Sequence, residues 1–343
     1  MKLGIYLNAQ HPEGDDPARR FAETVEQVRL IRQLGFDSIW SGEHHVTDGY
    51  HYYPLLPMLQ RLAADAEGLE IGTNIVLLPL HNPIELAEIT AFLDVISGGR
   101  FTLGVGLGYR PEEFAMFGVD MKHRVSRFTE AIEIIKRLWT EDKVTHKGRH
   151  WQFENLTIRP QPSRKPRPAI VVAAHVDQAV ERAARIADGW TIVPTPRLDE
   201  VERHAAIYAK ARSAAGLPAS DHIVRLYEVA CAPDEETALR RAAPFLLAKY
   251  AAYASWGLPG LEFRKEDAPE VQLKKLAANR FAVGSPEQVV TALMDQHRTG
   301  IHHVTMRVSW PGMRQDDILA GIELIGTKVL PEVRKRTGAA KAR

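Results

Sequence analysis

The chain has 343 residues, 45% hydrophobic and 25% charged, and its Lys+Arg 44 against Asp+Glu 43 leave a net charge of +1. This is the composition of a globular protein, and it excludes the broad basic surface that nucleic acid or an anionic membrane would require. The lone Cys231 excludes an internal disulfide and a thiolate-built metal centre. No apolar run reaches membrane-spanning length, and Met1-Lys2-Leu3 leads into a strand instead of a signal sequence, so the expected location is cytoplasmic.

Residues 3–7 read as a buried strand ending at Asn8, and 9–16 as a polar loop with Pro12 and Gly14. Pro17 opens a helix whose apolar positions Phe21, Val25, Val28 and Ile31 recur at helical spacing. Gly35 stops it, and the apolar run 36–40 is a second strand that delivers Ser41-Gly42-Glu43-His44-His45. Residues just beyond strand ends face the ligand in parallel α/β folds. Histidine titrates near neutrality, so this cluster is the first candidate for proton chemistry. The loop 46–53, with Tyr50 and Tyr52, carries enough rings beside it to read as a pocket rim.

Pro54 starts a helix to about residue 66, and 69–79 form strand three and its exit. Pro83 opens a helix through 96 that Ser97-Gly98-Gly99 stops. Strand four, 100–108, runs into Gly104, Gly106 and Gly108, which permit close approach of a flat or bulky ligand. This G-x-G-x-G lacks the dinucleotide-binding spacing. Tyr109-Arg110-Pro111-Glu112-Glu113-Phe114 follows, then a long helix over 123–139. A hairpin is expected between 144–146 and 150–153, and the proline-rich 160–168 is extended.

Strand five is 169–173. The turn Ala173-Ala174-His175-Val176 then leads into a helix to 187 and strand six over 189–193. A strand-to-helix turn of this kind presents free amides and a positive dipole end to an anion. A helix over 198–215, strand seven over 222–230 and a helix over 233–253 come next. The stretch 256–281 is broken by Gly257, Pro259, Gly260 and Pro269 and reads as an irregular lid or interface. Ser285-Pro286-Glu287 caps a helix to 299, strand eight is 301–306, a closing helix covers 318–330, and 335–343 is a frayed basic tail.

Eight strands alternating with helices predict an α/β fold, a parallel (β/α)8 TIM barrel, with a doubly wound open sheet as the competing architecture. The chain reads as one domain over 1–343, with insertions after strands four and seven at about 107–122, 143–168 and 255–283. No metal site is expected. There is no H-E-x-x-H helix, and side chains of tandem histidines on an extended segment alternate between faces.

The order and spacing of several segments resemble the luciferase-like monooxygenase superfamily, flavin-dependent TIM-barrel oxidoreductases related to the alpha chain of bacterial luciferase. They are Gly35-Phe36-Asp37-Ser38-Ile39-Trp40, Glu43-His44-His45, Gly72-Thr73-Asn74-Ile75-Val76-Leu77-Leu78-Pro79, Asn82-Pro83 and Gly99-Arg100-Phe101-Thr102-Leu103-Gly104. Phe114-Ala115-Met116-Phe117-Gly118, Ala187-Asp188-Gly189-Trp190 and Arg307-Val308-Ser309-Trp310-Pro311-Gly312-Met313 complete the set. The resemblance implies that His44 is the active-site histidine beside the flavin, with Glu43 orienting it. It also implies a non-prolyl cis peptide at Asn74-Ile75 behind the ring, Gly106 close to the ring, and Ala173, Ala174, His175 and Val176 on the flavin phosphate. Tyr109 and Arg110 join the cofactor set; Asn8, His45, Tyr50, Tyr52, Trp190, Tyr227 and Arg307 are assigned to the substrate pocket. Two departures stand out: Leu107 replaces a phosphate-binding arginine of luciferase, so that either Arg110 substitutes for it or the phosphate rests on backbone amides and His175 alone, and Gly106 replaces a cysteine, so aldehyde-dependent light emission is not inherited.

The implied activity is a two-component monooxygenase: reduced FMN from a separate NAD(P)H:flavin reductase, oxygen, a flavin hydroperoxide and a small organic substrate. The competing reading on the same barrel is hydride transfer with a deazaflavin coenzyme, and a third is a non-catalytic flavin-binding protein. A homo-oligomer is expected, with neither nucleic acid nor membrane as partner.

Overall fold

Strands whose two faces are both apolar can be satisfied only inside a layered α/β structure, where helices cover the outer face. In the computed structural model, which describes residues 1–256 and 267–338, they close into a ring. The eight strands are β1 (Lys2–Tyr6), β2 (Ser38–Ser41), β3 (Glu70–Thr73), β4 (Phe101–Gly106), β5 (Ala169–Ala173), β6 (Gly189–Ile192), β7 (Ile223–Cys231) and β8 (His303–Arg307). Each pairs in parallel with the next, and β8 returns to β1 through Val304↔Leu3 and Met306↔Ile5. This is the closed (β/α)8 barrel, and it removes the open sheet from consideration.

The helices between strands are α1 (Pro17–Leu34), α2 (Leu55–Leu62), α3 (Pro83–Ile96), α4 (Pro111–Met116), α5 (Arg124–Leu138), α6 (Asp177–Ile186) and α7 (Leu198–Ala214). They continue with α8 (Glu235–Ser255), α9 (Pro269–Ala277), α10 (Pro286–Arg298), α11 (Gln315–Leu324) and α12 (Leu330–Thr337). Their ends follow local chemistry. The Asp16 carboxylate accepts the amides of Ala18 and Arg19 at 2.9 and 3.3 Å, and Gly35 closes α1 at φ 78°. Asn82 caps α3, and Ser285 and Gln288 form a capping box on α10. Among the described residues no helix is long and apolar enough to cross a membrane.

Inside the ring, Trp40 lies on Gly72, where a Cβ would meet the indole at 2.2 Å. The Ser38 hydroxyl bridges the Trp40 indole N–H at 3.0 Å and His303 Nε2 at 2.8 Å. Tyr6, Trp40, Val171, Val224 and Leu226 form an inner apolar cluster that fills the barrel below its carboxyl end. A larger core separates the ring from the helices. Above this cluster, at the carboxyl end of the strands, Arg307 and Glu228 turn the barrel mouth polar.

Several segments differ from the sequence reading. Residues 9–16 and 46–53 are not free loops: Gln10–Pro12 pairs antiparallel with Tyr50–Tyr52 over the strand ends. Segment 109–117 contains α4, because Pro111 supplies the fixed φ of a first helical turn and Glu112 and Glu113 follow it there. Within 256–281, Pro269 starts α9 instead of breaking the chain, and 282–284 adds a parallel strand to the end of β7. Residues 257–266 of the expected lid lie outside the described residues. The expected fraying at 335 is also corrected: α12 runs to Thr337, whose hydroxyl accepts the Met1 amino group at 2.9 Å, while 339–343 lie outside the described residues.

Candidate active site

The exit of β2 leaves no room for a side chain at Gly42. A Cβ there would lie 2.3 Å from the Asn74 carbonyl oxygen and 2.7 Å from the Tyr6 hydroxyl. That close approach joins the exits of β1, β2 and β3, and the Glu43 amide donates to the Ile75 carbonyl at 3.2 Å. The Asn74–Ile75 peptide is cis. From here successive side chains diverge, as an extended segment requires.

His44 turns toward α4. Its Nδ1 lies 3.0 Å from Oε1 of Glu113, which is fully buried and also accepts the His45 amide at 2.8 Å. Burial alone would raise the Glu113 pKa, but the His44 bond, the His45 amide and the Arg110 charge hold it below the usual carboxylate value. An ionised carboxylate only accepts hydrogen bonds, so Nδ1 carries the proton and Nε2 offers a lone pair or, when protonated, a donor. The rings of Tyr52, Tyr109, Tyr253 and Trp256 surround the imidazole at centroid distances of 5.8, 5.9, 6.2 and 5.7 Å. The side chain keeps 13% exposure. The imidazole thus has one ring nitrogen fixed and the other available, within a mostly aromatic enclosure.

Glu43 is not the residue that orients His44. Its Oε1 accepts the Leu77 amide and His81 Nε2, both at 2.7 Å, with His45 Nε2 at 3.6 Å. Burial would raise its pKa, yet the imidazoles of His45 and His81 bring it down to about 2. Glu43 thus fastens the β2 exit to the segment after β3, and its neighbour His45 points the same way, packing on Phe117 at 4.7 Å.

Three of the residues assigned to the cofactor come together at the floor of the mouth. A Cβ on Gly106 would meet Ile75 Cδ1 at 2.6 Å and Ala173 Cβ at 3.6 Å, so these backbones form a close-fitting seat. Asn74 Nδ2 and Thr191 Oγ1 are buried here without a hydrogen-bond partner. Polar atoms are rarely left that way unless a ligand completes them. The next turn passes through Ala174 and His175 to Val176, which flanks α6 with no side-chain cap, leaving first-turn amides open to an anion. These features fit a flavin: a flat ring on the seat and a phosphate at the helix end.

Arg110 does not extend toward that turn. It donates to the His45 carbonyl at 3.0 Å and to Glu113 at 3.3 Å, beneath the Trp256 ring at 4.7 Å. Its place is with the His44–Glu113 pair, because α4 sets Arg110 and Glu113 one turn apart. Among the pocket residues, Tyr50 and Tyr52 lie in the antiparallel ribbon, and Asn8 Nδ2 donates to the Gln10 carbonyl at 2.5 Å.

Arg307 faces inward over the Tyr6 ring at 4.2 Å and donates to Glu228 at 2.9 Å. Trp190 and Tyr227 are corrections, since strand alternation turns both to the helix layer. Trp190 stacks on Tyr208 at 5.5 Å and donates to the Ala174 carbonyl, and Tyr227 packs in the core between the ring and the helices.

Sequence reading missed Glu113, His81 and a buried ion cluster under the mouth. In that cluster Glu228 Oε1 accepts Lys249 Nζ, the Tyr250 hydroxyl at 3.0 Å and Arg307, and Oε2 accepts the Trp310 indole at 2.7 Å. Burial and the Arg307 charge push the Lys249 pKa down to about 7 despite Glu228. The one available signal was the Pro111-Glu112-Glu113 start of a helix directly after the glycine-rich exit.

A barrel with a histidine at its mouth, a close glycine seat and an uncapped helix end is compatible with a flavin-type cofactor. Residues 1–303 match the luciferase-like monooxygenase family model, and the chain belongs to that family, whose members are flavin- or F420-dependent oxidoreductases. The crystal structure of monooxygenase RslO1 from Streptomyces bottropensis superposes with a TM-score of 0.86 at 28% identity, covering 97% of this chain and 99% of that one. An F420-dependent glucose-6-phosphate dehydrogenase of Microbacterium testaceum is 30% identical over 320 residues, 90% of this chain and 92% of the relative. The oxygenase component of a flavin-dependent trigonelline monooxygenase from Acinetobacter baylyi is 30% identical over 203 residues, covering 57% and 54%.

Proposed function

We propose that the protein is the oxygenase of a two-component system, taking reduced FMN from a separate flavin reductase and using oxygen to oxidise a small organic substrate. The observation that carries this reading is the His44–Glu113 pair enclosed by Tyr52, Tyr109, Tyr253 and Trp256. Oxygen chemistry on a reduced flavin must be kept from water, and an aromatic enclosure does that. Reduced FMN, when bound, supplies the electrons that activate oxygen. Asn74, Ile75, Gly106 and Ala173 would hold the ring, and the amides at 175–177 would hold the phosphate. Glu113 keeps the proton on His44 Nδ1, so that Nε2 exchanges a proton with the substrate or the reacting oxygen. Tyr109 packs beside His44, and Arg110 steadies Glu113.

A second reading has its own support in the F420-dependent relative, which aligns with nine-tenths of this chain. There the same seat takes a deazaflavin, and His44 serves hydride transfer without oxygen. One experiment separates the two. The protein is mixed anaerobically with reduced FMN or reduced deazaflavin, oxygen is admitted, and near-ultraviolet absorbance and oxygen uptake are followed. The monooxygenase reading expects tight reduced-FMN binding and a persistent near-ultraviolet species. Binding of the deazaflavin alone, with no oxygen uptake, overturns it.

A further inference from the structure

The Glu43, His45 and His81 side chains have no part in the proton chemistry of His44, and their geometry has another use. Their ligand-type atoms all lie within 4.8 Å of one another. Glu43 Oε1 is 2.7 Å from His81 Nε2 and 3.6 Å from His45 Nε2. In a tetrahedral zinc site, bonds of about 2.0–2.1 Å place neighbouring ligand atoms about 3.4 Å apart. The two distances bracket that spacing.

Two further observations point to a ligand. His45 Nε2 is buried with no hydrogen-bond partner, although it faces a carboxylate. Glu43 is itself held by the Leu77 amide at 2.7 Å, the outer support that metal-ligating carboxylates use. The His45 and His81 side chains keep 25% and 24% exposure, which leaves a path for an ion and an open position for water. Tandem histidines do alternate here, His44 toward Glu113 and His45 toward Glu43; the second imidazole comes instead from His81, beyond β3.

We propose that Glu43, His45 and His81 form a binding site for a divalent transition-metal ion of the zinc class. Two imidazoles and one carboxylate favour zinc, cobalt, nickel or copper over magnesium and calcium, which require mainly oxygen. The ion ties the exit of β2 to the segment after β3 and leaves His44 free. The site is independent of which flavin the barrel takes.

Chelator-treated protein, without flavin, is titrated with CoCl2 while the visible d–d bands are followed, and ZnCl2 is then added to displace the cobalt. Saturation at about one ion per chain is expected, with intense bands of low coordination number. His81→Gln keeps a donor for Glu43 and so preserves the fold, but removes a ligand; His45→Gln does the same on the other side. Each should weaken binding by at least about 100-fold, since even outer-shell partners cost 10–100-fold, whereas His44→Ala should bind as wild type. Absence of a saturable cobalt spectrum, or equal affinity in His81→Gln and wild type, overturns the proposal.

Discussion

Glu113 Oε1 lies 3.0 Å from Nδ1 of His44, across 69 residues of sequence, and it fixes which nitrogen of the imidazole faces the barrel mouth. The carboxylate is fully buried, so the pairing is enforced by the absence of water as well as by distance. The same oxygen holds the His45 amide and the Arg110 guanidinium, which makes α4 part of the site instead of a connection between β4 and α5.

His44 should therefore matter to turnover and little to folding. His44→Ala is expected to lower turnover by about 100- to 10,000-fold, the range for a general acid or base, while thermal melting stays close to wild type. Glu113→Gln can present either its oxygen or its amide to Nδ1 and loses the preference for one tautomer, so turnover should fall in the same direction with less effect. Near wild-type turnover of His44→Ala at saturating reduced flavin would show that another group moves the proton.

Arg110 now has a different expected phenotype from the one its position beside Leu107 suggested. If the amides after β5 hold the phosphate, FMN should bind much more tightly than riboflavin. Arg110→Ala should leave that ratio unchanged and lower turnover, because its contacts are Glu113 and the His45 carbonyl. Fluorescence titration of both flavins with both proteins decides it. Equal affinities for FMN and riboflavin in wild type would remove the phosphate from the helix end.

The buried cluster of Glu228, Lys249 and Arg307 carries two cations for one carboxylate, and the pKa of Lys249 falls from 10.5 to about 7. Between these values the unfolded chain binds a proton that the folded protein does not, so this group makes stability rise with pH over about 7 to 10.5. Lys249→Met should flatten that rise in denaturant midpoints and cost little at pH 7, because Glu228 and Arg307 remain paired. Glu228→Gln should behave oppositely and destabilise by about 3–5 kcal/mol, leaving both cations without a counter-charge. A wild-type stability profile that tracks Lys249→Met across this range would show that Lys249 titrates normally.

The barrel was legible because each strand is an apolar run that must be covered on both faces, and because Asp16, Gly35, Asn82 and Ser285 mark helix ends by their own hydrogen bonding. The candidate site was legible only as far as it is local. Glu43, His44 and His45 adjoin one another in sequence, yet which carboxylate serves which imidazole depends on α4 and on the segment after β3. Glu113 and His81 are 69 and 38 residues from the groups they meet. Trp190 and Tyr227, assigned to the pocket with the resemblance, lie in the helix layer because strand alternation turns each ring outward. Pro269 was read as a break, although proline is equally at home in a first helical turn, which is where it stands in α9.

The last prediction concerns the roof. The expected lid began at Trp256, and in the structure this residue is the C-terminal cap of α8, with its ring stacked on Tyr253 at 5.3 Å, over Arg110 at 4.7 Å and against His44 at 5.7 Å. The indole roofs His44 above the seat proposed for the flavin ring, and the prediction is that the end of α8 moves to admit the cofactor. Its closure afterwards restores the dry enclosure around His44. Trp256→Ala should thus speed both association and release of reduced FMN and lower the fraction of oxygen consumption coupled to product, since water then reaches the site. Hydrogen exchange gives an independent reading. Amides over 250–256 should gain protection when flavin and substrate are bound, at a level that does not depend on protein concentration. Unchanged coupling in Trp256→Ala, or protection that follows protein concentration and ignores flavin, would place this segment at a contact between copies of the chain and leave the roof to other residues.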